Sequence, residues 1–272
     1  MSGKKWLFVV ALLVGCEGNP PYNPSPSRLL VFGSFYNTRV RPNGNILVIE
    51  DISLDLLEFD AAGERRTVHP FCRWFDIYGD VAWVLPMDGS VLLRLGLSPG
   101  AAADTFDIPG GFSLVAAMDS SRCILVTSAD SFFIFDAGNP VPRFLFRHHW
   151  NDPLDYNSPK GLVCRGSEIF LDDGDVLDTS GKLLESWPGG HDFIPWGSDA
   201  LLFLSEQGNL GKVNRSTGKT VYFPSRVSAR SEARSPALSP DGGKAYFCAT
   251  DETWDDEDYW WEWGYCLYEY RF

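Results

Sequence analysis

The residues with most capacity for chemistry crowd into one late stretch, Asp251 to Trp263, which carries seven carboxylates and four of the ten tryptophans. Aromatic faces beside carboxylates suit cationic groups, through cation–π attraction and charge, or sugars, by stacking. Trp254, Asp255, Asp256, Tyr259, Trp260, Trp261 and Trp263 are therefore candidate binding residues. The other reading is a solvated loop whose tryptophans cover an edge. A second group is cationic. Arg39, Arg73, Lys160 and Arg234 stand shortly before apolar runs, at irregular offsets. They read either as a positive ring around one mouth of the fold, holding an anion, or as separate surface ion pairs.

Signatures of catalysis are missing. Arg215-Ser216-Thr217-Gly218-Lys219-Thr220 contains the GKT of a phosphate-binding loop, yet position 213 is Val where that loop needs glycine, and no helix pattern follows. It reads as a hairpin turn. LDDGDVLD, Leu171 to Asp178, has the carboxylate density of a calcium loop without EF-hand spacing or its closing Glu. It reads as a β-turn, with a structural calcium as the alternative; no other cofactor is implied. The four histidines are scattered, and adjacent His148 and His149 would face opposite sides of a strand. The sequence has no HExxH, GxSxG or CxxC.

Lys4 and Lys5 precede an apolar run from Trp6 to Val14. A membrane span needs about twenty apolar residues, so this run reads as an export signal. Leu13-Val14-Gly15-Cys16 resembles a bacterial lipobox. The resemblance implies that Cys16 is lipidated and becomes the mature N-terminus, anchoring the protein to a membrane. An ordinary secretory signal with an incidental Cys is the alternative. Glu17, where Asp would favour inner-membrane retention, points to the outer membrane, facing the periplasm or the cell surface. Glu17 to Ser27 holds four prolines in eleven residues, a composition that stays extended over up to about 30 Å and serves as a tether. The expected organisation is a signal at 1–15, lipidated Cys and tether at 16–27, and a folded domain at 28–272.

An exported chain meets an oxidising compartment, where disulfides are permitted. Cys248 and Cys266 lie on two adjoining strand-like runs and are expected to pair across the loop between them, two buried thiols being the alternative. Of Cys72, Cys123 and Cys164, at least one stays unpaired within the chain.

The elements that must position these residues repeat. Six hairpin-like units follow one another, with second strands starting near Ile46, Val81, Cys123, Glu168, Leu201 and Lys244, a period of about forty residues. Asn-Gly, Asp-Gly and other Gly turns punctuate them where hairpins need positive φ. No 3.6-residue apolar periodicity follows residue 16, which excludes helical and α/β folds. The last unit, with Ser239-Pro240-Asp241-Gly242-Gly243-Lys244-Ala245-Tyr246-Phe247, resembles the repeat of TolB-like and WD40-like β-propellers. The expected fold is all-β, a single six-bladed propeller of four-stranded antiparallel blades. The run Arg28 to Tyr36 would complete the last blade as its outer strand. A seven-bladed propeller and a β-sandwich are the alternatives.

A net charge of −13 excludes nucleic acid as a partner, because that affinity comes from neutralising phosphates. The function expected is a membrane-anchored, non-catalytic binding or scaffolding module for a protein or glycan partner. The competing class is a periplasmic propeller enzyme, a metal-dependent lactonase or hydrolase or a quinoprotein-type dehydrogenase, whose site would be assembled from scattered loops.

Overall fold

The computed structural model describes residues 27–31, 33–148, 161–225, 227, 233–251 and 264–272. They form six four-stranded antiparallel sheets arranged as the blades of a propeller. A short strand, β1 (Arg28–Val31), precedes the first complete blade. Blade 1 contains β2 (Phe35–Val40), β3 (Ile46–Glu50), β4 (Leu56–Phe59) and β5 (Arg65–His69). Blade 2 contains β6 (Cys72–Tyr78), β7 (Val81–Pro86), β8 (Val91–Gly96) and β9 (Ala103–Asp107). Blade 3 contains β10 (Phe112–Ala117), β11 (Arg122–Thr127), β12 (Ser131–Asp136) and β13 (Asn139–Arg147). Blade 4 contains β14 (Leu162–Arg165), β15 (Glu168–Leu171), β16 (Asp175–Asp178) and β17 (Leu183–Ser186). Blade 5 contains β18 (Gly190–Trp196), β19 (Ala200–Ser205), β20 (Leu210–Asn214) and β21 (Thr220–Phe223). Blade 6 contains β22 (Ala233–Leu238), β23 (Lys244–Asp251) and β24 (Gly264–Arg271), and β1 pairs with β24 as its fourth strand.

Burial explains the sequence pattern. Second strands such as Ile46–Glu50 and Ala200–Ser205 are packed on both faces by neighbouring blades, so they read as unbroken apolar runs rather than as alternation. Fourth strands such as β9 and β21 lie at the rim and are largely exposed. The core is accordingly a set of wedges between blades. Trp83, fully buried in blade 2, stacks edge-on against Phe135 of blade 3 at 5.9 Å, and its Nε1 donates to the Asp119 carbonyl at 3.0 Å.

The second-to-third strand turn recurs from blade 2 to blade 5. Gly89, Asp130, Gly174 and Gly208 occupy its last position with φ of 62°, 56°, 91° and 75°. Each donates its N–H to the carbonyl three residues earlier. LDDGDVLD is thus a turn of this series, and Arg215–Lys219 is the turn between β20 and β21.

Closure follows the expected route with one correction. Arg28 pairs with Glu269 and Val31 with Leu267. The expected single strand Arg28 to Tyr36 is instead two: the chain leaves the rim of blade 6 after Val31 and enters the centre of blade 1 at Phe35. Gly33 lies where a Cβ would sit 2.7 Å from the Phe35 ring, so the crossing demands glycine.

The wedge between blades 2 and 3 predicts a large truncation penalty. Trp83→Ala should lower stability by about 3–5 kcal/mol, read as a reduced urea midpoint with an unchanged slope.

Candidate functional site

The first strand of each blade faces the propeller axis, and the polar groups that meet there come from irregularities in those strands. Register shifts interrupt the pairing of β2, β18 and β22 with their neighbours. At these bulges Asn37, Asp192 and Ser235 take φ of 54°, 55° and 52°. Asn and Asp tolerate this left-handed conformation better than most residues, and Ser less well. The bulges turn backbone donors sideways, towards the next blade. Asp192 N–H donates to the Asp172 carbonyl at 2.9 Å, and Ser235 N–H to Asp192 Oδ2 at 3.1 Å. Asn37 N–H donates to Ser235 Oγ at 3.2 Å, and Asn37 Nδ2 to the Phe75 carbonyl at 2.8 Å. Blades 4, 5, 6, 1 and 2 are linked in sequence around the axis.

Arg39 fills the space inside this ring. Its Nε lies 2.5 Å from Asp76 Oδ1, and its Nη2 donates across the axis to the Leu162 carbonyl of blade 4 at 3.2 Å. Asp76 Oδ2 accepts the Ala117 N–H of blade 3 at 2.9 Å. The cavity that remains measures about 10 Å³, the room of a single water. Asn37 Oδ1 and Trp74 Nε1 border it without a hydrogen-bond partner among the described residues and offer such a water one acceptor and one donor.

Of the two readings of the cationic group, Arg39 fits that of an ion pair. Arg39 is 12% exposed and bound to Asp76, so an ion pair forms there and not an open anion site. Arg234 lies over the Tyr265 ring at 4.2 Å, close enough to Asp192 to lower that carboxyl's pKa. The Arg73 carbonyl lies 3.5 Å from Tyr36 Oη. Lys160 falls outside the described residues, as do Cys16 and the candidates Trp254, Asp255, Asp256, Tyr259, Trp260, Trp261 and Trp263. The hairpin pair from which that last segment departs, Asp251 and Gly264, lies at the far end of β23–β24 from Lys244 and Arg271.

One titratable pair sits on the ring. His191 Nδ1 lies 3.1 Å from Asp192 Oδ2. Burial pulls the imidazole down, but the Asp192 hydrogen bond and charge outweigh it and hold His191 above its usual 6.5. Burial pushes Asp192 up, yet the His191 hydrogen bond and charge, with the Ser235 N–H, bring it below the usual 3.8. The raised histidine contributes stability that is lost as pH rises through its folded pKa; the depressed carboxyl contributes stability lost as pH falls through its own.

The expected bridge between Cys248 and Cys266 is not formed. Register sets Cys248 opposite Leu267 and Cys266 opposite Ala249, one residue out of phase. Strand side chains alternate, so the two sulfurs face opposite sides of the sheet. Cys248 packs into the wedge between blades 6 and 1, and Cys266 into the wedge between blades 5 and 6. Burial pushes the Cys248 thiol up to about 12, which removes it as a nucleophile at neutral pH.

Open space lies elsewhere, in a groove of about 500 Å³ between blades 1 and 6. Its floor is apolar, with Leu30, Ile46, Phe59 and Leu267. Its rim consists of three turns, Pro42–Gly44, Asp60–Gly63 and Ser239–Asp241. These turns are stiffened from within. Asp60 Oδ1 accepts the Ala62 and Glu64 N–H groups at 2.8 and 2.9 Å. Ser239 Oγ donates to Asp241 Oδ1 at 2.6 Å. Arg28, at the start of β1, and the ion pair of Lys244 with Glu269 (2.9 Å) add charge along one side. Sequence reasoning identified each turn and missed the groove, because the turns meet only after the ring closes.

No family model matches the chain, and no curated protein matches it. Among solved structures it is similar to a protein of unknown function from Bacteroides thetaiotaomicron, with a TM-score of 0.65 at 11% identity over 89% of this chain and 70% of that one. It is also similar to a streptogramin B lyase, with a TM-score of 0.54 at 8% identity over 89% of this chain and 96% of that one. A third is YCF48 bound to D1 peptide, with a TM-score of 0.53 at 10% identity over 93% of this chain and 98% of that one. At such identities the likeness is one of fold.

Two outcomes follow from the ring. Asp76→Asn leaves Arg39 buried without its counter-charge and should cost about 3–5 kcal/mol in urea unfolding. In an NMR titration, His191 should titrate above 6.5 in the native chain and fall back towards or below that value in Asp192→Asn.

Proposed function

We propose that this protein is a lipid-anchored binding module of the bacterial envelope, whose groove between blades 1 and 6 holds an extended segment of a partner protein. The observation that carries the reading is the contrast, among the described residues, between a space for one water beside Arg39 and a side groove of about 500 Å³. Sites that hold small ligands or peptide side chains span about 300–1,000 Å³. An apolar floor inside a polar rim is the usual anatomy of a recognition surface. The same contrast disfavours a channel-centred lactonase or dehydrogenase. YCF48, a propeller of similar fold, is seen bound to D1 peptide, which supports a peptide as occupant over a glycan.

Anchoring rests on the Leu13-Val14-Gly15-Cys16 signal, and Glu17 favours the outer membrane. The tether at 16–27 ends beside Arg28, which borders the groove. In this reading the anchored tether joins the folded domain at Arg28, beside the groove.

The anchor and the groove are tested separately. Cys16→Ser should abolish acyl labelling and release the protein from sedimented membranes; retention of both would overturn the anchor. A photo-cross-linker at Ala61, an exposed rim residue, should capture one partner from intact envelopes. Ala62→Trp, which fills the groove from an exposed turn, should reduce that capture at least tenfold while the melting temperature stays unchanged. Capture undiminished by Ala62→Trp, or lost only when residues 252–263 are deleted, would overturn the groove as the site.

A further inference from the structure

We propose that His148, Asp173 and Asp175 form a binding site for a divalent transition ion of the zinc class, and that the ion staples blade 3 to blade 4. The three side chains come from two blades. His148 follows the last strand of blade 3 directly, and its N–H donates to the Asp130 carbonyl at 3.1 Å. Asp173 and Asp175 flank Gly174 in the β15–β16 turn of blade 4. One donor atom from each of the three lies within 4.8 Å of the others.

The turn is rigid. Gly174 donates to the Leu171 carbonyl at 3.1 Å, and its own carbonyl accepts the Trp187 N–H at 3.1 Å. A Cβ on Gly174 would sit 2.1 Å from the Trp187 carbonyl oxygen, so the backbone has no freedom to be anything but glycine there. Asp173 Oδ1 accepts the Asp175 N–H at 3.1 Å, and Ser186 Oγ donates to Asp175 Oδ1 at 2.6 Å. That leaves Asp175 Oδ2 directed at His148. Hydroxyl orientation of a carboxylate in this way is what supports a ligand from behind.

The distance between blades is the informative quantity. His148 Nε2 lies 3.6 Å from Asp175 Oδ2, beyond hydrogen-bond reach. The nitrogen is nonetheless shielded from solvent and has no hydrogen-bond partner among the described residues. Zinc binds nitrogen and oxygen at about 2.0–2.1 Å in a tetrahedron, which separates neighbouring donor atoms by about 3.4 Å. The observed spacing fits an ion between the two groups better than it fits a direct bond. Imidazole in the donor set selects zinc or another first-row ion over calcium or magnesium, which prefer oxygen alone. Three protein donors leave a fourth position for water.

The staple ties blade 3 to blade 4 as other polar contacts tie neighbouring blades. Blade 2 reaches blade 3 through Asp76 and Trp83, and blade 5 reaches blade 4 through Arg215, bound to both Glu168 and Glu185. At the junction of blades 3 and 4, His148 faces Asp175.

The test uses the untagged full chain in detergent, stripped with chelator and titrated calorimetrically with zinc chloride. One saturable site per chain is expected, with a melting temperature raised by roughly 5–10 °C at zinc a hundredfold above Kd. Calcium at millimolar concentration should not displace it. His148→Ala and Asp173→Asn should each weaken binding at least tenfold and remove the thermal shift; having two variants guards against one that folds poorly. Cobalt substituted for zinc should give the visible bands of a nitrogen–oxygen site without a thiolate charge-transfer band. Absence of saturable zinc binding, binding unchanged in both variants, or a thiolate band would each overturn the proposal.

Discussion

The structure turns on Asp76, a buried carboxylate whose two oxygens face different blades. One takes the guanidinium of Arg39 from blade 1 and the other takes the Ala117 N–H from blade 3, while Arg39 itself reaches on to blade 4. A propeller has no central core, only the wedges between its blades, so something must hold the inner strands at one radius. Here it is a polar ring, and its members are obtained by bulging the strands and accepting left-handed conformations at Asn37, Asp192 and Ser235. Filling the axis with a salt bridge has a cost as well as a use: among the described residues, little room is left beside Arg39. Among the described residues, the roomier space lies where blades 1 and 6 splay apart.

Two further ion clusters act at larger radius. Arg41, 5% exposed, bridges Glu58 of its own blade and Asp80 of blade 2, and Arg66 meets the same Glu58. Arg215 clasps Glu168 and Glu185 of blade 4 from the turn of blade 5. Buried pairs of this sort add little net stability over well-packed apolar groups, because desolvation offsets attraction. What they supply is angle. A wedge of Leu, Val and Phe slides; a bidentate guanidinium between two fixed carboxylates does not.

Most of the architecture was legible because second strands carry so clear a signature. Buried on both faces, they begin in the structure at Ile46, Val81, Arg122, Glu168, Ala200 and Lys244, within one residue of the starts read from apolar runs alone. Register was not legible. Cys248 and Cys266 lie on adjoining strands as expected, yet the length of the segment between them does not determine which residues face each other, and a slip of one reverses a side chain. Nor was the groove, since Asn43, Gly63 and Asp241 are ordinary turn residues whose proximity is a property of ring closure and not of spacing. The role of Arg215 was hidden inside a false phosphate-loop motif; a charged residue at a hairpin tip, with glutamates one repeat earlier, was the available signal.

The pairing of β1 with β24 has a consequence in time. The first strand of the fold to leave the ribosome waits for the last, while five blades whose strands are contiguous can assemble in the interval. Until residues 264–271 emerge, Arg28–Val31 has no partner and the ring stays open beside blade 1. Truncation anywhere between Arg28 and that point leaves the same unclosed seam, so the pairing of β1 with β24 is the step by which blade 6 gains its fourth strand.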